Sequence, residues 1–346
     1  MKNDNTRNRM KYNRIIISKF GGPEVLQKVT ENELPKPQKN QVRIKVLTTS
    51  ASFTDTLIRR GIYPNVKEKP PFSPGYDLVG IVDELGEGVN NLAVGQKVAD
   101  LTVIGAYTEY ICLDANSVVP VPENLDNGET VSLILSYLTA YQMLHRSAKI
   151  KNGQTVLIHA AAGAVGTALI QLGKLMNLKM YGTASKSKHD FIEKMGAIPI
   201  DYKNQDFAKV INKKEPNGID AVFDPMGGDY FPRSLGVLKK KGTLVGFGFQ
   251  NSASGNGGNM ILDFLKIQLW NLLPTKPSAN FYLITSMRKK HPKWFQEDLS
   301  TLFKLLSDKK IKPEIGKIMT LDQAVEAHKL VENAEIEGKI ILKVHD

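Results

Sequence analysis

The residues with the clearest chemistry form a run of small side chains, Ala160-Ala161-Ala162-Gly163-Ala164-Val165-Gly166. The run follows a short apolar segment, Thr155–His159, and opens a stretch with helical spacing, Ala164–Leu178. Strand, glycine-bearing turn and helix in that order make the βα turn of a dinucleotide-binding unit. Gly163 would let the backbone approach a diphosphate, and Gly166 would let helix and strand pack closely. The free N–H groups and dipole of the helix N-terminus, at Ala164 and Val165, would attract the phosphates. Ala161 stands where the usual fingerprint has its first glycine; the bland alternative is a turn that holds no ligand. The next strand ends Gly182-Thr183-Ala184-Ser185-Lys186-Ser187-Lys188. An NAD site usually carries Asp or Glu there. Hydroxyls and ammonium groups suit a 2′-phosphate, which a carboxylate would repel. The pattern therefore favours NADP(H) over NAD, against the alternative of a solvated basic turn.

The elements around this turn fall into two patterns. Before about residue 127 the chain reads as short strands, Arg14–Ser18, Gln41–Ser50, Leu78–Glu84, Val94–Val98, Thr108–Leu113 and Ser117–Val121, punctuated by Gly and Pro. Such a segment suggests a barrel or sandwich. Gly128–Ala148 then has helical spacing. Beyond it strands alternate with helices: Thr155–His159, Lys179–Thr183, Ile198–Ile200, Ala221–Asp224 and Thr243–Phe247 alternate with Ala164–Leu178, Ser187–Met195, Phe207–Lys213 and Tyr230–Leu238. That alternation predicts an α/β fold with a doubly wound parallel sheet. Asn251–Asn259 reads as a flexible loop, Met260–Leu273 as an apolar helix over a cleft or a dimer face, with a membrane-surface helix as the alternative, Lys293–Ser307 and Leu321–Asn333 as helices, and Lys339–Val344 as a strand.

Composition narrows the class. The 346 residues are enough for two domains and carry a formal net charge of +11. The basic clusters, Lys239–Lys241, Arg288–Lys290 and Lys309–Lys312, are short and far apart, and none carries a nucleic-acid motif. A small-molecule substrate is expected rather than a nucleic acid, and a basic surface would favour a polyanionic cofactor. Cys112 is the single cysteine, so no internal disulfide forms. No apolar run reaches the roughly 20 residues that span a bilayer, and Met1–Arg14 lacks a signal core. A cytoplasmic protein is the default, with Met1–Lys11 a disordered tail.

The motif His159–Gly166 resembles the quinone oxidoreductase branch of the medium-chain dehydrogenases/reductases. So do Phe53–Thr56 with Arg59–Tyr63, Pro74–Gly80, Gly95–Val98 and Leu138–Tyr141, in the family's order from about Arg14 to Val344. Gly182–His189 looks like the vesicle amine transport branch. The resemblance implies a GroES-like catalytic domain built from both chain ends (1–135 and 287–346) around a Rossmann NADP-binding domain (136–286), with the active site in the cleft between them. It places Asp55 and Tyr63 near the nicotinamide: Tyr63 either donates a proton or packs at a loop, and Asp55 either serves the site or caps a helix. It assigns Thr139, Phe247, Gly248 and Phe249 to the nicotinamide half, and Ser185, Lys186, Lys188 and Tyr202 to the adenosine phosphate. Lys339, after Gly338, resembles a C-terminal residue near the cofactor. The zinc-ligand positions of metal-dependent relatives hold Ser52 and Tyr76-Asp77, so no metal is expected. The activity implied is reduction of quinones or activated C=C bonds by NADPH in a homodimer. The alternative is a nucleotide-binding, membrane- or vesicle-associated protein with little catalysis.

Overall fold

A computed structural model describes residues 10–253, 265, 267, 269–270 and 277–345. Two compact units divide the chain: residues up to Leu135 with Leu299–Lys309 and Ile315 onward, and Ser136–Asp298 with Lys310–Glu314.

The first unit begins with strands β1 (Tyr12–Ile17), β2 (Leu26–Glu31) and β3 (Gln41–Ala51), then helix α1 (Phe53–Arg59). β4 (Leu78–Leu85), β5 (Lys97–Asp100), β6 (Tyr110–Asp114), β7 (Val119–Pro120) and helix α2 (Asn127–Ser132) follow. The second unit contains helix α3 (Leu138–Gln142), β8 (Thr155–Ile158), α4 (Ala164–Leu175), β9 (Lys179–Ala184), α5 (His189–Met195), β10 (Ile198–Asp201), α6 (Phe207–Lys214) and β11 (Ile219–Asp224). After these come α7 (Tyr230–Leu235), β12 (Leu238–Gly246), α8 (Gln250–Ala253), β13 (Ser278–Phe281) and α9 (Ile284–Lys290). Helix α10 (Pro292–Ser307) leads back to the first unit, which β14 (Ile315–Thr320), α11 (Ala324–Glu332) and β15 (Lys339–Lys343) complete.

In the second unit six parallel strands lie in the order β10-β9-β8-β11-β12-β13. This is the doubly wound order, whose reversal between β8 and β11 opens a crevice at the strands' carboxyl ends. The glycine turn leaves β8 at that point. One side of the sheet buries Leu157, Tyr181, Val222 and Leu244 against Phe207, Ile211 and Phe231. In the first unit β14-β15-β3-β4-β5-β7 form a mostly antiparallel sheet, with β6 paired to β3. Its core gathers Val42, Ile44, Val46, Leu78, Val82 and Val98.

Several elements differ from the sequence expectation for identifiable reasons. β2 (LQKVTE) and β14 (IGKIMT) are exposed on alternate or most positions, so their apolar signal is thin. The helix expected over Tyr230–Leu238 stops at Leu235, and Leu238 opens β12. Lys239–Lys241 masked that strand's start; Lys239 is held there by Asp220 at 2.8 Å. α1, β13 and α9 were not anticipated. Gly128–Ala148 is helical in the main, but Leu133–Tyr137 and Met143–Ser147 wind as wider π-turns on either side of α3. Asn251–Ala253 belong to a helical turn rather than to the expected loop. The rest of that loop, most of Met260–Leu273 and nearly all of the Met1–Lys11 tail lie outside the described residues.

A buried arginine ties the first unit's two helical segments together. Arg59, at the end of α1, is 1 % exposed. Its guanidinium pairs with Glu332 of α11, contacts His328 Nδ1 at 3.1 Å and donates to the Gly21 carbonyl at 3.0 Å. Removing one partner of a buried pair strands the others. Arg59→Ala is expected to cost about 3 kcal/mol, read as a lower denaturant midpoint, with Arg59→Lys costing less.

Candidate functional site

The glycine turn is shaped by close approach. A Cβ at Gly166 would sit 2.5 Å from the Ala160 carbonyl and 2.6 Å from that of Ala161, whereas one at Gly163 would meet only Ala160 O at 3.4 Å. Ala161 is accommodated in place of a glycine because Gly182 faces it: a Cβ there would meet the Ala161 Cβ at 2.7 Å. The Ala161 N–H donates to Thr183 O at 3.0 Å. Ala160 takes a left-handed backbone (φ 52°), and its N–H reaches Thr183 Oγ1 at 3.3 Å. Gly163 is the N-cap of α4, and no side chain caps that end. The first amides of the helix, at Ala164, Val165 and Gly166, thus meet no capping side chain, which fits an anion.

His159 supports the turn from below and is fully buried. Ser234 Oγ donates to Asp224 Oδ2 at 2.8 Å, so it accepts from His159 Nε2 at 3.2 Å; Nδ1 then accepts from Thr183 Oγ1 at 3.1 Å. Burial lowers the imidazole's pKa to about 3, so it stays neutral. This chain of bonds links the ends of β8, β9 and β11. Asp224, read from the sequence only as a strand end, also caps the following loop by accepting from the Met226 and Gly227 N–H groups through Oδ1.

The other residues expected on the nucleotide side follow β9, β10 and β12 or lie on α3. Ser185 and Lys188 are half-buried, Lys186 is exposed, and Tyr202, just after β10, is 45 % exposed. Asp201 also stands here: Asn204, which hydrogen-bonds it, is the main cause of its lowered pKa, and Lys186 adds to it. Both Asp201 oxygens are engaged, by Asn204 Nδ2 at 2.7 Å and the Lys203 N–H at 3.1 Å. Phe247, Gly248 and Phe249 follow β12 and are half-buried. A Cβ at Gly248 would meet Pro225 O at 2.7 Å, and Phe249 stacks on Phe281 at 4.6 Å. Thr139 is 6 % exposed on α3.

The first unit holds a second group of candidates. Ser52 is the N-cap of α1 and Asp55 its third residue: Asp55 Oδ2 accepts from the Ser52 N–H at 2.9 Å and from Ser52 Oγ. Asp55 therefore does complete a helix cap, as one half of a capping box. Its Oδ1 accepts from the Gly75 N–H at 3.2 Å. Full burial raises its pKa to about 7. Asp77, also fully buried, has a raised pKa for the same reason, opposed by Lys339. Ser50 Oγ donates to Asp77 Oδ1, and Lys339 Nζ lies 3.5 Å from Oδ2. Lys339, expected on the cofactor side, is thus 3 % exposed and paired with Asp77. Tyr63 is nearly buried; its hydroxyl is 2.7 Å from that of Tyr76, with the rings edge to face.

Ser52, Tyr76 and Asp77 are engaged by Asp55, Tyr63, and Ser50 with Lys339 in turn. A hydroxyl, a phenol and an ammonium-paired carboxylate do not fit the thiolate and imidazole preferences of zinc. Among the described residues no group of three or more His, Cys, Asp or Glu is placed to hold a metal ion.

A doubly wound nucleotide-type sheet with a glycine turn, joined in one chain to a GroES-like β-sheet unit, defines a medium-chain dehydrogenase/reductase. The sequence matches the alcohol dehydrogenase GroES-like domain over residues 38–123 and the zinc-binding dehydrogenase family over 195–342. A probable quinone oxidoreductase of Schizosaccharomyces pombe is 32 % identical over 330 residues, covering 95 % of this chain and 96 % of that protein. The synaptic vesicle membrane protein VAT-1 homolog of Danio rerio is 29 % identical over 340 residues, 96 % of this chain and 70 % of that protein. The structure of Escherichia coli quinone oxidoreductase complexed with NADPH superposes with a TM-score of 0.84 at 28 % identity, covering 96 % of this chain and all of that one. The chain belongs to the quinone oxidoreductase family of medium-chain dehydrogenases/reductases and is an oxidoreductase of that type.

Two outcomes follow from this geometry. Gly166→Ala is expected to cost about 1–3 kcal/mol through overpacking, and Gly163→Ala less, both read by chemical denaturation. Asp55 binds its proton more tightly when folded than when unfolded, so its contribution to stability is full at acid pH and is lost as pH rises through about 7. Asp55→Asn keeps an acceptor for the Ser52 N–H and should flatten that fall in a stability–pH series.

Proposed function

We propose that the chain reduces quinones or activated C=C bonds, such as those of enones and enals, with NADPH and without a metal ion. The observation that carries this reading is the end of β9, where Ser185, Lys186 and Lys188 stand in place of a ribose-binding carboxylate. The neighbour from Escherichia coli, solved with NADPH, supports it. When bound, the cofactor supplies a hydride. The amides of Ala164, Val165 and Gly166, at the start of α4, would hold its diphosphate, with Ala161 and Gly163 shaping the turn that lets it approach. Ser185, Lys186 and Lys188, with Thr183 at the strand end and Tyr202 beside it, would hold the adenosine side. Thr139, Phe247, Gly248 and Phe249 would hold the nicotinamide side, and Lys339 adds a buried cation assigned to the cofactor by family likeness.

Each hydride leaves the product short of one proton. Tyr63 Oη, or water, supplies it, and Tyr76 Oη at 2.7 Å is placed to restore it. Asp55 holds the loop carrying Tyr76 through its bond to the Gly75 N–H. The protein is assigned to the cytoplasm as a homodimer; β13 ends the six-strand order and offers an edge to a second copy.

The likeness to the Danio rerio vesicle protein favours a second reading, a vesicle-associated nucleotide-binding protein with little turnover. Among the described residues no helix is long and apolar enough to cross a membrane. The deciding assay is NADPH absorbance loss across quinones, enones and enals, repeated after chelation. Turnover with NADPH well above NADH, unaffected by chelation, is expected. Lys186→Ala with Lys188→Ala should weaken NADPH binding roughly tenfold or more and leave NADH binding nearly unchanged. NADPH binding with liposome co-sedimentation and no turnover would favour the second reading.

A further inference from the structure

A cavity of about 340 Å³ opens in the first unit between the loop after β1, the end of α1 and the end of α11. Small-molecule sites run from roughly 300 to 1,000 Å³. Gly21 and Gly22 line one side of it. Neither has a left-handed backbone, and Gly22 takes φ −72° and ψ 178°, which any residue adopts. What the chain uses at these positions is the missing side chain, not backbone freedom. The nearest atoms that a Cβ at Gly22 would meet belong to the flexible end of Glu24, so a larger residue there would crowd the cavity rather than the core. Phe20 supplies an apolar wall: it is 44 % exposed, yet its ring lies edge to face with Phe72 and leaves no room for a side chain at Gly61. Pro23 adds a second apolar surface.

The polar side of the cavity is Arg59 and Glu332, with Arg60 on the rim. A guanidinium has five N–H groups. Those of Arg59 donate through Nε to Gly21 O, through Nη1 to His328 Nδ1 and through Nη2 to Glu332 Oε1. Two N–H groups of Arg59, and Oε2 of Glu332, have no partner among the described residues. The guanidinium is also fixed from behind. His328 accepts through Nδ1, so its Nε2 donates to Tyr107 Oη at 3.1 Å, and that hydroxyl donates to Ser50 O at 3.3 Å. Arg59 cannot turn without stranding these buried groups. Because Nη2 contacts Oε1, a cationic edge and an anionic edge stand side by side.

We propose that this cavity is a binding site for a free amino acid with an apolar side chain. Arg59 receives the carboxylate, Glu332 Oε2 receives the ammonium group, and Phe20 and Pro23 receive the side chain. The two charges of an α-amino acid are as close together as the two edges of the Arg59–Glu332 pair. A carboxylate matches the guanidinium fork, and Arg60 adds positive charge on the same side. A ligand with a single charge would leave one of the two edges unmatched. The fixed guanidinium and the braced Phe20 ring lower the ordering cost of binding. The site shares no residue with the glycine turn or with the strand ends that flank it.

The test is calorimetric titration of the full chain with phenylalanine, with 3-phenylpropionate, which lacks the ammonium group, and with phenethylamine, which lacks the carboxylate. Phenylalanine should bind roughly tenfold more tightly than either single-charge analogue. Gly22→Met should abolish phenylalanine binding and leave the unfolding temperature unchanged. Glu332→Gln keeps an acceptor for Arg59 and removes the negative charge, so phenylalanine should fall to the affinity of 3-phenylpropionate. No heat from phenylalanine at about 10 mM, a concentration that detects even millimolar affinity, overturns the site. Equal binding of all three compounds by the wild-type protein overturns the ligand class. A folded Gly22→Met protein that binds phenylalanine as the wild type does, or a Glu332→Gln protein that keeps the wild-type preference, overturns the placement of the ligand in this cavity. None of these outcomes bears on nucleotide binding.

Discussion

The contact on which the nucleotide-binding unit depends is the approach of α4 to the end of β8 at Gly166. No side chain fits between that residue and the carbonyls of Ala160 and Ala161, so the helix starts directly over the strand end. This closeness aims the uncapped amides of α4 at the crevice where the strand order reverses. The left-handed backbone at Ala160 belongs to the same constraint: the chain must turn sharply enough to bring Gly163 to the N-cap. Gly182 gives up its own side-chain space so that Ala161 can lie against β9.

Polar groups buried behind that turn are paired in fixed directions. Neutral His159 passes hydrogen bonds between Thr183 and Ser234, and Ser234 passes one to Asp224. The chain from Asp298 through Gln142 to Tyr282 has the same character. Such networks specify one arrangement because a reversed partner would leave a buried donor or acceptor unsatisfied. In the GroES-like unit the balance is one of charge. Asp55 and Asp77 are both fully buried, with Lys339 as a buried cation, and burial pushes both carboxyls toward the protonated form.

Much of the fold was legible because its signals are local. The alternation of apolar segments with helical spacing, and the order of glycines after Thr155–His159, are one-dimensional patterns with one physical reading. The elements that escaped notice lack that contrast. Only the first part of β12 was missed, because Leu238 is followed by three lysines, and β14 exposes most of its side chains. α1 is short and held by a Ser52–Asp55 capping box at the edge of a sheet strand. The π-turns beside Thr139 carry no compositional mark at all. For the site, the glycines and lysines could be read directly, because backbone access and charge follow from residue type alone. The engagement of Tyr63 by Tyr76, of Lys339 by Asp77 and of Gln142 by Tyr282 could not, since the paired residues are 13, 262 and 140 positions apart in sequence.

By itself, then, the amino-acid order determined a doubly wound sheet, a phosphate-type turn at Gly163–Gly166 and a second-strand end that favours an extra phosphate. These depend on side-chain size, period and charge within a short window. The tertiary structure alone decided which buried groups are acids, which donate and which accept. Burial raises the pKa of Asp55 and keeps His159 neutral, and burial and hydrogen-bond direction are properties of neighbours that distant parts of the chain supply.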